Sequence, residues 1–165
     1  MNIVPPYRPG QILPLSHWRT GITSRSIEET AALAAALTAL LPENTALALH
    51  GDLGSGKTTF VRGMARALGL KEPITSPTFA LFFIYETKVR QLVHMDAYRL
   101  QSPADADTLV LWDLLRSPWT LVVEWPEKLG DRLPENAWHL EFSIEAPGIH
   151  RLRLSSGEMA IATSE

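Results

Sequence analysis

Gly51-Asp52-Leu53-Gly54-Ser55-Gly56-Lys57-Thr58 constrains what this chain can fold into more than any other stretch. The octet has the form glycine, four residues, glycine-lysine-threonine, and its two flanks differ in character. Ala46-Leu47-Ala48-Leu49 before it is a short apolar run that reads as a buried strand; Phe60 to Leu68 after it reads as a helix. Strand, loop and helix in that order make a phosphate-binding turn. Glycines permit positive φ, so the loop can turn its N–H groups inward and, with the helix N-terminus, surround an anion. In such a loop the Lys57 ammonium neutralises the β- and γ-phosphates and the Thr58 hydroxyl ligates Mg²⁺. The predicted nucleotide-binding set is Gly51, Asp52, Leu53, Gly54, Ser55, Gly56, Lys57, Thr58 and Thr59, with Asp52 a turn residue rather than a catalyst.

At 165 residues, 45% hydrophobic and 20% charged, the chain suits one globular domain with a substantial core. A net charge of -3 supplies no basic face for holding RNA or DNA by counterion release. With no cysteine, disulfides, thiolate metal sites and thiol nucleophiles are excluded. No secretory signal opens the sequence and no apolar run is long enough to span a bilayer, so a cytoplasmic protein is expected.

The coarse reading is an α/β fold: a single phosphate-loop NTPase-like domain over 19–155, its mixed central sheet flanked by helices. A Pro-rich arm (1–18) precedes it, expected to be extended and mobile or else docked on the domain or a partner through Ile12, Leu13, Leu15 and Trp18, and a loose tail (156–165) follows. Ser26 with Glu28 and Glu29 predicts a helix start, running to about Leu41. Ala80 to Tyr85 and Gln91 to Asp96 read as an antiparallel hairpin. Ala104 to Leu115 reads as a helix burying Leu111, Leu114 and Leu115. Trp119 to Val123 is a second fully apolar strand, and strands over 137–144 and 150–154 close the domain.

Hydrolysis needs a metal held and a water aimed, hence carboxylates near the loop. Glu124 ends the apolar strand Leu121-Val122-Val123, and Asp96 ends the hairpin strand, so both acids fall on the ligand edge of an open α/β sheet. Both are candidate metal and catalytic residues alongside Thr58 and Lys57. The bland alternatives are a surface carboxylate for Glu124, and a turn cap or a pair with Arg99 for Asp96. Ser76 and Thr78, in Thr75-Ser76-Pro77-Thr78-Phe79, read either as a nucleotide-sensing switch or as an ordinary turn. Arg99 is a candidate for transition-state charge or for a structural pair. His94 and His139 read as structural, and Trp125 as a residue that shapes the site or faces a partner.

Four elements therefore stand in order: residues 51–59, Thr75-Ser76-Pro77-Thr78-Phe79, His94-Met95-Asp96-Ala97-Tyr98-Arg99-Leu100 and Val123-Glu124-Trp125-Pro126-Glu127. Their combination over roughly residues 20 to 154 resembles the TsaE family, small ATPases required for making threonylcarbamoyladenosine (t6A) in bacterial tRNA. The resemblance implies ATP and Mg²⁺ as cofactors, Lys57 and Thr58 on phosphate and metal, Thr78 in a nucleotide-responsive loop, and Asp96 and Glu124 serving metal and hydrolysis; Trp125 matches the family's Trp. It also implies as partners a TsaD-type transferase and its TsaB-type companion, whose turnover the ATPase supports and through which alone it meets tRNA. Ser55 departs from a small residue such as Ala, and the Pro-rich arm lies outside the family core. The rival readings are a small-molecule kinase, for which little lid material follows Glu124, and a nucleotide-sensing scaffold that does not hydrolyse. No Asn-Lys-x-Asp element is present to read guanine.

Overall fold

The computed structural model describes residue 8 and residues 10–157. Its centre is the strand that feeds the phosphate loop, β2 (Thr45–His50), whose first five residues are all buried. Such continuous apolarity is what a strand covered on both faces requires. Parallel to it lie β5 (Trp119–Glu124) on one side and β6 (Trp138–Ala146) on the other. The hairpin β3 (Phe82–Glu86) and β4 (Gln91–Asp96) extends the β5 side, with β4 parallel to β5. Beyond β6, β7 (Ile149–Ser156) and β1 (Ile22–Ser24) run antiparallel to their neighbours. The result is one seven-stranded mixed sheet in the order β1-β7-β6-β2-β5-β4-β3.

Alternation along the strands divides the core in two. Leu47, Leu49, Leu92 and Val122 face α2 (Ile27–Leu40) and α3 (Lys57–Ala67), packing on Leu33, Leu37, Phe60 and Met64. Ala46, Val93, Met95, Leu121 and Val123 face the opposite layer, which Leu100, Ala106, Leu111 and Leu129 cover from the irregular segments. The helix start predicted at Ser26 is present: its hydroxyl accepts from Glu29 N at 3.0 Å, while the Glu29 carboxylate accepts from Arg25 N. The two helices approach closely at Gly63, where a Cβ would stand 2.8 Å from both Ala31 Cα and Ala34 Cβ. This contact fixes α3, and with it the phosphate loop at its N-terminus. The longest helix has 14 residues, and among the described residues none is long and apolar enough to cross a membrane.

Three segments differ from the sequence reading. Residues 15–20 form a short helix, α1, instead of an extended arm; Trp18 is fully buried and Leu13 nearly so. Burying an indole outweighs the proline density nearby. The part of the arm reading that falls on residues 1–7 and 9, and of the tail reading on 158–165, lies outside the described residues. The strand β1 has three residues, too few for any periodicity to register. The helix expected over 104–115 is instead a 3₁₀ segment, Pro103–Thr108, and a single turn, α4 (Leu111–Leu114). Asp105 accepts from the N–H groups of Gln101 and Ser102, which fixes a tight turn, and Leu109 is extended at ψ 131. Leu111 is buried as expected, but Leu114 is 39% exposed and Leu115 is half-buried.

Candidate functional site

The loop leaves β2 at Gly51, whose φ is 148 and where a Cβ would come within 2.7 Å of Phe142 O. Only glycine fits there. Ser55 N donates to Asp52 O at 3.1 Å, so Asp52 anchors a turn, as its sequence reading had it. Gly56, left-handed at φ 103, then opens α3 with no side chain capping its first N–H groups. Those free donors and the helix dipole make the anion-binding end. The Ser55 side chain turns inward and is buried, with no hydrogen-bond partner for its hydroxyl among the described residues. The loop's expected phosphate contacts run through backbone N–H groups, so a buried Ser55 side chain leaves that role to the main chain.

Lys57 is 5% exposed, and its ammonium lies over the phosphate loop, donating to Gly51 O and, at 3.0 Å, to Asp52 O. It also stands 4.9 Å from the centre of the Trp125 ring. Burial lowers its pKa, opposed chiefly by the charges of Glu124, Asp52 and Asp96. Beside it, Thr58 Oγ1 donates to Glu124 Oε1 at 3.0 Å. This bond spans 66 positions of sequence and joins the loop to the end of β5. Burial pushes the Glu124 carboxyl upward, but hydrogen bonding and charge from His94, with Thr58 and Lys57 behind them, hold it below the usual carboxylate range.

Asp96 pairs directly with Glu124 across β4 and β5, so the two acids share one edge and one face. Asp96 Oδ2 accepts from Ser76 at 3.4 Å and Thr78 at 3.3 Å, while Oδ1 accepts from Tyr98 N at 3.0 Å. The turn-capping role and the cleft-facing role thus belong to different oxygens of one carboxylate. No Asp96–Arg99 pair forms; the Arg99 guanidinium lies 4.2 Å from the centre of the Phe79 ring instead. Trp125 takes a left-handed backbone at φ 57, ψ 50, and its ring meets Tyr98 at 5.2 Å. For a bulky residue that conformation costs on the order of 1 kcal/mol, a strain typical of residues fixed at a functional site.

These side chains line a cleft of about 460 Å³: Gly54, Lys57, Thr58, Ser76, Thr78, Asp96, Glu124 and Trp125, joined by Leu53 and Tyr98. Of the predicted loop residues, Gly56 and Thr59 border a second hollow of about 170 Å³ on the β7 side, with Arg25, Ser26, Thr30 and His150. Two carboxylates, a threonine hydroxyl and a lysine suit a hard cation bound together with phosphate oxygens, because Mg²⁺ takes few protein ligands when phosphates and waters supply the rest. Among the described residues no trio of His, Cys, Asp or Glu forms an all-protein metal cage. The residue that sequence reasoning undervalued is His94. It is fully buried, and its Nε2 lies 2.9 Å from Glu124 Oε1.

The profile of the family described as threonylcarbamoyl adenosine biosynthesis protein TsaE matches residues 24–151, which contain the loop, both acids and Trp125. The chain belongs to the TsaE family. Curated TsaE proteins agree: that of Treponema pallidum is 38% identical over 125 residues, covering 76% of this chain and 92% of its own. The Bacillus subtilis TsaE is 36% identical over 131 residues, 79% of this chain and 78% of that protein. The crystal structure of Bacillus subtilis YdiB superposes with a TM-score of 0.68 at 28% identity, covering 81% and 82% of the two chains. Membership carries the mixed-sheet phosphate-loop fold of TsaE proteins and a role in t6A modification of tRNA.

Proposed function

We propose that this chain is a Mg²⁺-dependent ATPase that acts on a TsaD–TsaB-type transferase complex in the cytoplasm and supports its turnover. The observation that carries the reading is the hydrogen bond from Thr58, the last residue of the phosphate loop, to Glu124 at the end of the neighbouring strand. Loop and acid are thereby held as one unit beside the Lys57 ammonium. In this reading the N–H groups at the start of α3 and Lys57 bind the ATP phosphates, and Thr58 and Glu124, with Asp96 nearby, hold Mg²⁺. When bound there, Mg²⁺ would supply positive charge that offsets the charge of the phosphates. Asp96, tied by Ser76 and Thr78, orients the attacking water and couples it to the 76–78 loop. The hollow on the β7 side receives the nucleoside end.

Two observations support weak hydrolysis by the chain alone. Among the described residues no arginine lines the cleft, and the Arg99 guanidinium lies over the Phe79 ring. A stabilising charge supplied by the partner complex would complete the site. Against the kinase reading, Arg132, the one arginine between Glu124 and Arg151, pairs with Asp107 at 2.9 Å and with Asp131. The net charge of -3 accords with tRNA being met only through the partners. Phosphate release is the test, measured with ATP and Mg²⁺, with and without the partner complex. Release that rises when the partners are added is expected; none in the full mixture would overturn the ATPase reading.

A further inference from the structure

We infer that His94 is a positioning residue that fixes the rotamer of Glu124, so that Oε1 is tethered and Oε2 is the oxygen presented to the bound metal and its water. The inference rests on the proposed ATP and Mg²⁺ site and names a residue on which that site depends.

His94 lies two positions before Asp96 on β4, hence on the same face, and diagonal to Glu124, whose direct partner is Asp96. Its nearest strand neighbours on that face, Leu92 on β4 and Val122 on β5, are apolar and belong to the core beneath α2 and α3. An imidazole there is costly unless it is bonded. A carboxylate oxygen only accepts, so ring Nε2 donates to Glu124 Oε1; Nδ1 is buried with no partner among the described residues. The one hydrogen bond that justifies this side chain in the core therefore goes to Glu124.

The same Oε1 accepts from Thr58 Oγ1, so two donors, one on β4 and one at the end of the phosphate loop, converge on one oxygen at 2.9 and 3.0 Å. Glu124 is held between the loop and β4, and among the described residues Oε2 takes no hydrogen bond. With an apolar side chain at 94, Oε1 would keep only the Thr58 tether, and the carboxylate could rotate away from the cleft. Groups that orient a metal ligand typically change metal affinity by about 10- to 100-fold when lost, without contacting the metal.

The test titrates Mg²⁺ against a fluorescent ATP analogue bound to the full chain, which reads metal affinity without hydrolysis. Gln can carry its amide N–H to the place of Nε2, whereas the shorter Asn cannot. We expect His94→Leu and His94→Asn to raise the Mg²⁺ midpoint about 10-fold and His94→Gln to stay within about 3-fold of wild type. Affinity for the analogue in EDTA should stay within about 3-fold in all three, since the phosphate loop is untouched. Midpoints unchanged in all three variants, or equal for Gln and Asn, would overturn the inference even if His94→Leu fails to fold. An equal loss of affinity in EDTA would also overturn it, because that is the mark of general repacking. If nucleotide binding by wild type shows no Mg²⁺ dependence, the metal-site reading falls and the positioning role falls with it. A normal wild-type response with unaffected variants removes only the role of His94.

Discussion

On the β5 side of the phosphate loop, His94, Thr58, Ser76 and Thr78 all direct polar hydrogens at two buried carboxylates, whereas on the β7 side Gly56 and Thr59 meet a small hollow with few charges. The contrast follows from the strands that build each flank. β4 and β5 are parallel neighbours that both end at the ligand edge, so their terminal acids arrive together. β6 and β7 form a hairpin, and its turn at Pro147-Gly148 brings His150 near Gly56, with His150 Nδ1 buried and unbonded among the described residues. One flank immobilises charge, as metal binding and phosphoryl transfer require. The other is a smaller hollow bordered by Arg25, Thr59 and His150 and, among the described residues, by no carboxylate, and in the proposed reading it takes the nucleoside end.

In the proposed site Lys57 meets the phosphates themselves, so its removal should have the largest effect. Lys57→Ala is expected to weaken ATP binding at least about 100-fold, about 3 kcal/mol, because it deletes the one cationic side chain that lines the cleft among the described residues. Titration of a fluorescent ATP analogue measures it, and unchanged affinity would break the assignment of the loop itself. Next come the acids. Glu124→Gln and Asp96→Asn should each lower partner-stimulated phosphate release by about 100-fold while affinity in EDTA stays within about 3-fold. Loss of metal-free binding to the same degree would show that the charged flank holds the nucleotide instead of acting on it. A smaller effect is expected across the loop: His150→Ala should weaken nucleotide binding about 5-fold, with or without Mg²⁺, the order of one lost hydrogen bond. A shift in the Mg²⁺ midpoint for that variant would contradict the division between the flanks.

The charged flank was the more legible of the two in the sequence. Lys57, Thr58 and Glu124 follow from one rule, that a phosphate loop needs an acid at the end of an adjacent apolar strand, and Leu121-Val122-Val123 advertises that strand plainly. His94 escaped because its meaning depends on register: the sequence gives no sign that it lies diagonal to Glu124 instead of facing the opposite layer. The nearest signal was its spacing, two positions before a strand-ending acid and thus on the same face. The inward direction of the Ser55 side chain was not legible, since it is set by backbone angles that no periodicity encodes. The helix around Trp18 and the irregular 103–114 segment depart from the local reading for a common reason. In both, tertiary burial or a side-chain cap overrode local propensity.

His139 on β6 gives the finest test of whether the flanks are separable. Its ring stacks on that of His50, the residue before Gly51, with His50 Nε2 and His139 Nδ1 2.8 Å apart. That bond needs one donor and one acceptor, so a fully protonated pair would lose it. Burial lowers the His139 pKa below its ordinary 6.5, the neighbouring His50 lowers it further, and Glu141 partly opposes both. The sign follows from linkage. As pH falls below about 6.5 the unfolded chain takes up this proton before the folded one, so stability declines until pH passes the lowered folded value, and no further. Thermal unfolding of wild type between pH 7 and pH 5 should therefore show a decline that His139→Gln reduces. Equal declines in both proteins would remove His139 as the cause. Because the pair sits on the strands behind the loop and touches neither acid, the Mg²⁺ midpoint of His139→Gln at pH 7 should match wild type. A shifted midpoint would mean that β2 transmits strain through Gly51, and that the two flanks act as one.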